Sequence, residues 1–210
     1  MPASLAFRQA GPFSNRKLRK NQDNYSVDTY IKLMIKQSKL SFKHKLIVGL
    51  GNPGEEYANT YHNAGLLFLS CLAPGTRFKR VLDFAYLKNG DLILVKPLTF
   101  MNESGRPVLQ ALKYFKLTPD KLLVAHDDSD IGIGNYKISL GRGSAGHNGV
   151  ESIIKSLGNK DFGRLRLGIR GPEKNGKRLR AQEFVLKQIS KKDKLLLEGL
   201  FQEVKVTLTE

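Results

Sequence analysis

The chain has 210 residues, 40% of them hydrophobic and 26% charged, which is the composition of an ordinary globular protein and excludes disorder throughout. Its longest mostly apolar stretch, Ala64 to Ala73, is about half of the ~20 residues that a bilayer span needs, and its one cysteine, Cys71, excludes an internal disulfide framework and a cysteine-based zinc site. Lys plus Arg outnumber Asp plus Glu by 35 to 19, a net charge of +16; residues 34–210 alone carry +12, so the body itself is basic and a polyanion, nucleic acid first, is the expected partner, with a merely charged surface as the bland alternative.

Residues 1–43 differ from the rest. They hold Arg8, Arg16, Lys17, Arg19 and Lys20 against Asp23 and Asp28, and their periodicity is weak. They read as a basic, disordered extension ahead of one folded domain over residues 44–210. No apolar core of a secretory signal is present. Three accounts of the extension stay open: a mitochondrial presequence, a true start at Met34, and a functional basic tail. The lone cysteine and the missing signal favour a cytoplasmic protein, with a mitochondrial location as the alternative.

From Lys45 onward, strand and helix signals alternate. Leu46-Ile47-Val48-Gly49-Leu50 is a buried strand running into a tight turn. Asn63 to Ala73 is a helix stopped by Pro74-Gly75. Leu82 to Lys88 and Leu92 to Lys96 flank Asn89-Gly90 as a hairpin. Met101 to Lys116 carries Val108, Leu112 and Phe115 at helical spacing and closes near Pro119. Leu122 to Ala125 is a second buried strand, and Asn135 to Leu140 a shorter one. Gly146 to Leu157 is a helix ended by Gly158, Leu165 to Ile169 a strand, and Ser190 to about Val206 an amphipathic helix. This order predicts an α/β fold: a single domain with a central mixed β-sheet flanked by helices, mixed because the hairpin is antiparallel.

The turns hold the chemistry-bearing residues. Gly49-Leu50-Gly51-Asn52-Pro53-Gly54 formally matches a dinucleotide fingerprint. Pro53 and Tyr57 crowd the place where a helix should open, however, and no acidic residue closes a second strand about 20 residues on. His62 lies between that turn and an apolar helix, at the carboxyl end of the first strand, where sites in open α/β sheets collect; a histidine there can equally be a cap. Asn102 opens a helix and could be its N-cap. His126-Asp127-Asp128-Ser129-Asp130 is expected as a turn after strand 122–125, either a Mg²⁺ site or a solvated turn. Gly141 to Gly149 is a Gly-rich loop opening a helix, able to cradle an anion or simply to pack tightly. No G-x-S-x-G elbow occurs, and Cys71 lies mid-helix without an obvious base, which disfavours a covalent nucleophile.

Several of these segments together resemble the bacterial-type peptidyl-tRNA hydrolases. They are Val48-Gly49-Leu50-Gly51-Asn52-Pro53-Gly54 with Tyr57, Thr60, His62 and Asn63; Lys96-Pro97 with Thr99 and Met101-Asn102; His126-Asp127; Gly146-His147-Asn148-Gly149; and Phe162 with Arg164-Leu165-Arg166. Their order and spacing agree over about residues 45–206. The resemblance implies a peptidyl-tRNA hydrolase-like fold and metal-free, cofactor-free cleavage of the ester between a peptide and the 3′ end of tRNA. It implies a monomer that recycles tRNA for translation and has no membrane partner. The residue chemistry is compatible: an imidazole titrates near neutrality, so His62 suits a general base, and Asp127 suits the carboxylate that orients it. By resemblance Asn52 and Asn148 hold substrate, Asn102 holds product or water, Tyr57 and Phe100 line the site, and Lys137 and Arg166 clamp tRNA phosphates. The chain departs from the family at Tyr61, where arginine is usual, at Ser139, where a second clamping lysine is common, at Asp128, usually glutamate, and in a less glycine-rich loop at 141–145. The rival reading is a family member that binds RNA without hydrolysis, as a splicing or ribosome-associated factor.

Overall fold

The computed structural model describes residues 44–171 and 179–209. The expectation of a disordered basic extension over 1–43, and the charges at Glu173, Lys174, Lys177 and Arg178, lie outside those residues. Seven strands form one sheet in the order β2-β3-β4-β1-β5-β7-β6. They are β1 (Leu46–Gly49), β2 (Lys79–Val81), β3 (Phe84–Asn89), β4 (Leu92–Pro97), β5 (Leu122–Gly132), β6 (Tyr136–Leu140) and β7 (Gly163–Arg170). The four-strand centre is parallel: β1 pairs with β4 and β5, and β5 with β7. The edges are antiparallel, β2 and β3 on one side and β6 on the other. The sheet is therefore mixed, as the hairpin signal predicts.

Helices cover both faces, and the strand alternation explains which residues meet them. On one face Ile47, Leu94, Leu123, Ala125, Leu165 and Leu167 pack against α1 (Ala64–Leu72) and α4 (Lys191–Thr209). On the other, Leu46, Val48, Val95, Leu122 and Val124 pack against α2 (Gly105–Phe115) and α3 (Asn148–Leu157). In α2 the spacing of Val108, Ala111 and Leu112 turns one apolar stripe to the sheet. Burying one such Leu or Phe contributes roughly 1.5–3 kcal/mol, so each cluster is a substantial fraction of the folding free energy. Helix α3 stops at Gly158, whose φ of 69° is the left-handed cap expected of glycine.

Two expectations are corrected. The segment 126–130 is not a turn: β5 continues to Gly132, because β7 offers a parallel backbone partner through Gly168 opposite Asp128 and, past an irregularity, again at Arg170 opposite Gly132. Local composition hid this, since Asp and Ser have poor strand propensity and only the neighbouring strand overrides it. The helix expected from Met101 begins as a 3₁₀ turn, Met101–Glu103, and becomes α-helical at Gly105. Strand β2 carried no sequence signal; it is three residues long.

The glycine in the first turn of α1 has a packing reason. A Cβ on Gly65, at the start of α1, would lie 2.3 Å from the Ala125 carbonyl oxygen and 2.6 Å from the Leu50 nitrogen. Backbone meets backbone here, so nothing can yield cheaply. We expect Gly65→Ala to destabilise the fold by about 1–3 kcal/mol through overpacking, read as a lowered midpoint in urea unfolding. An unchanged midpoint would show that α1 can lift off β1 and β5 freely.

Candidate active site

His62 sits in a 3₁₀ turn, Tyr61–Asn63, directly before α1. Its Nδ1 lies 2.9 Å from Asp127 Oδ1. Asp127 is on β5 and its side chain is 4% exposed. The same Oδ1 also meets His147 Nε2 at 2.9 Å. His147 is the N-cap of α3, and its Nδ1 accepts from the main-chain N–H groups of Gly149 at 3.1 Å and Val150 at 3.3 Å.

These bonds determine the tautomers. A nitrogen that accepts two N–H bonds carries no proton, so His147 is neutral with its proton on Nε2, donated to Asp127. A carboxylate only accepts, so His62 presents Nδ1–H to it, and the neutral form of the ring then has its lone pair on Nε2. Burial alone would raise the Asp127 carboxyl. The His147 and His62 imidazoles outweigh that and hold it below the usual carboxylate range. Next door His126 is buried, donates Nδ1–H to the Asp127 carbonyl at 2.7 Å, and stacks edge-on against His147 at 4.7 Å. Burial, with His147 beside it, pushes its imidazole well below the ordinary value, so His126 stays neutral.

His62, Asp127 and His147 bring three potential metal-ligand atoms within 4.8 Å of one another. The His147 tautomer opposes that use. A metal on Nε2 would need the proton on Nδ1, where two backbone N–H groups already point. Alternation along β5 turns Asp127 to one face and His126 and Asp128 to the other, although Asp127, Asp128 and Asp130 all border the cavity that His62 lines. Asp128 accepts from Arg166 Nε at 2.7 Å, and Asp130 pairs with Arg170 at 3.1 Å.

His62, Asp127, His147 and Asn148 line one cavity, closed on a further side by Gln182 and Val185. Asn148 is exposed at the first turn of α3. Asn52, Tyr57, Phe100 and Asn102 lie outside that lining but are tied to it. Asn63, next to His62, donates to the Asn52 carbonyl at 3.0 Å and accepts from the Asn52 N–H at 2.8 Å. The Asn52 side-chain oxygen in turn accepts from the Met101 N–H at 2.8 Å, which sets the turn bearing Asn102 beside it. With Oδ1 occupied, Nδ2 is what Asn52 can offer. Tyr57 and Phe100 meet edge to face at 6.4 Å, and Phe100 is 53% exposed.

Lys137 and Arg166 are cross-strand neighbours on β6 and β7. Ser139 and Arg164 form the next pair on the same face. Lys137 is exposed, whereas Arg164 is buried and makes no ion pair among the described residues. Burial, then Arg166 and Arg142, lower the Arg164 guanidinium against the opposing pull of Asp128. The buried Ser139 hydroxyl also lacks a partner. Sequence reasoning missed His147 and Asn63 as site residues. Both stand inside segments that carry the resemblance, so the signal was present, but their partners are 20 and 11 positions away.

The chain is similar to known proteins in both sequence and fold. The family model described as "Peptidyl-tRNA hydrolase" matches residues 46–210. A peptidyl-tRNA hydrolase of Teredinibacter turnerae is 42% identical over 174 residues, 79% of this chain and 89% of that protein. One from Coxiella burnetii is 41% identical over 157 residues, 73% of this chain and 82% of its own. The crystal structure of peptidyl-tRNA hydrolase from Acinetobacter baumannii superposes with a TM-score of 0.69 at 33% identity, covering 80% of this chain and 90% of that one.

Proposed function

The chain belongs to the peptidyl-tRNA hydrolase family, and from that premise we propose that it hydrolyses the ester joining a peptide, or an N-acylated amino acid, to the 3′ end of tRNA. The observation that carries this reading is the His62–Asp127 bond at 2.9 Å, which in the neutral imidazole places the proton on Nδ1 and the lone pair on Nε2. Nε2 takes a proton from water as the water oxygen attacks the ester carbonyl. Asp127 stabilises the imidazolium that forms, and His147 donates to the same carboxylate oxygen and holds it in place. The carbonyl oxygen becomes an oxyanion, for which the free Nδ2 of Asn52 is a suitable donor. Return of the proton from Nε2 to the 3′ oxygen releases tRNA. Asn148 supports substrate or water beside His62, Asn102 holds product or water, and Tyr57 or Phe100 offers a face for the terminal adenine.

No metal or cofactor is needed for these steps, because the base and the donor are side chains. The pair His62–Asp127 favours catalysis over RNA binding without hydrolysis. No helix among the described residues is long and apolar enough to cross a membrane. A monomer in the cytoplasm, with residues 1–43 as an extension rather than part of the site, is the accompanying proposal. Release of N-acylated amino acid from charged tRNA tests the activity directly.

The basic pair on β6 and β7 takes the tRNA phosphates in this reading. Binding should fall with salt at a slope of about −0.7 to −0.9 per neutralised phosphate. Lys137→Ala and Arg166→Ala are each expected to weaken tRNA binding and to reduce that slope by about one. Hydrolysis of an N-acyl aminoacyl ester on a short 3′ fragment should barely change, since neither side chain lines the cavity at His62. Deleting residues 1–33 should leave both assays nearly intact, because residues 34–210 keep +12 of the +16. Loss of tRNA binding on that deletion, with the fold intact, would assign recognition to the extension instead.

A further inference from the structure

Tyr61, which stands directly before His62, donates its hydroxyl to Asp193 Oδ2 at 2.6 Å. Asp193 lies in the first turn of α4, so this one bond joins the His62 turn to an element more than a hundred residues later. Residues 181–190, a strap leading into α4, cross the same turn with main-chain bonds. Val185 accepts from the His62 N–H at 2.8 Å, Lys187 accepts from the Tyr61 N–H at 3.3 Å, and Ile189 donates to Asn59 at 2.8 Å. Gln188 adds a bridge to Thr60 and a side-chain bond to the Glu56 carbonyl at 2.9 Å. The Tyr61 ring meets Phe184 at 5.8 Å and 76°, so phenol and strap pack as a unit. Gln182 and Val185 of this strap are walls of the catalytic cavity.

Of these links the phenol–carboxylate bond is the charge-assisted one, the stronger kind. Burial, reinforced by Asp193, raises the Tyr61 phenol above its ordinary value, so it remains a donor at neutral pH. Asp127 bonds the His62 ring at Nδ1, the His147 ring lies 5.0 Å from it, and Val185 accepts from the His62 main-chain N–H. The ring position of His62 therefore depends on where the strap holds the turn.

We propose that Tyr61 and Asp193 form a latch that sets His62 in register with Asp127 by fixing the strap 181–190 across the His62 turn. They are positioning residues and touch no substrate. The inference rests on the reading of His62 as the general base, and it concerns a residue at which this chain departs from the family pattern.

The test compares Tyr61→Phe, Asp193→Ala, Asp193→Asn and the double variant Tyr61→Phe/Asp193→Ala in the full chain, by peptidyl-tRNA turnover and by the ring ¹⁵N signals of His62. Tyr61→Phe keeps the ring on Phe184 and removes only the hydroxyl. It is expected to lower kcat about 5- to 20-fold with KM within about twofold, because misplacing a base costs rate rather than binding. The His62 Nδ1 signal should move in the same variant. Asp193→Ala should match it, the double variant should be no worse than either, and Asp193→Asn, whose amide oxygen still accepts, should recover most of the rate. Additive losses in the double variant, or wild-type kcat with an unmoved His62 signal in Tyr61→Phe, would overturn the latch. Turnover by the wild type judges the proposed function separately, since the ¹⁵N signal judges the latch whether or not the wild type turns over.

Discussion

His62→Ala is expected to lower kcat about 10²–10⁴-fold while tRNA binding persists. Among the described residues that line the cavity, His62 is the imidazole whose Nε2 is left unbonded, its Nδ1 being held by Asp127. His147 cannot substitute: its Nδ1 is turned into the first turn of α3, where Gly149 and Val150 donate to it. His126 cannot either, being buried behind the carboxylate. Truncation at residue 62 also leaves the basic pair on β6 and β7 untouched. Near-normal hydrolysis by the variant would falsify the assignment of the base, and loss of tRNA binding alongside turnover would mean that the turn, not the imidazole, had been damaged.

Asp127→Asn is the second large effect, with kcat reduced about 10²–10⁴-fold. Two imidazoles converge on one carboxylate oxygen, Oδ1. An amide that keeps its oxygen there loses the charge that stabilises the imidazolium. An amide turned the other way points N–H at both rings, which drives the His62 proton onto Nε2 and abolishes the base. Asp130→Asn should do little, because that carboxylate, although it borders the same cavity, pairs with Arg170 rather than with His62. EDTA should leave wild-type turnover unchanged; chelator-sensitive activity restored by Mg²⁺ would return the acidic segment to a metal role. The variant also changes acid stability. The folded-state carboxyl of Asp127 is depressed, so the stability it contributes is present above the unfolded-chain value of about 3.9 and is lost as pH falls below it. Wild type should therefore lose stability more steeply below about pH 4 than Asp127→Asn, measured by urea midpoints across that range.

Much of this site is legible in the amino-acid sequence. His62, Asp127, Asn52, Asn102 and Asn148 are marked by residue type at the ends of apolar runs, and their order along the chain carries the resemblance. The strands β1, β3, β4 and β7 are legible as well, because aliphatic runs bounded by Gly, Pro or Asn-Gly report on local backbone preference. Burial follows that preference wherever the strand lies mid-sheet, as at Leu46 to Val48.

Other features depend on partners distant in sequence. Residues 126–130 look like a turn, and become strand only because β7 pairs with them. That pairing sends Asp127 and Asp128 to opposite faces, so one carboxylate meets imidazoles and the other meets Arg166. His147 reads as one more residue of a Gly-rich loop until α3 is in place, when its cap fixes the tautomer and aims Nε2 at Asp127. Tyr61 reads as a departure from the family, and its partner Asp193 is 132 positions away. Residue type and spacing determine which side chains can do chemistry, since these express local propensity and intrinsic ionisation. Which of them meet, and in what protonation state, is decided by tertiary structure, because a hydrogen bond between distant residues forms only after the sheet has set its register and the helices have docked on it.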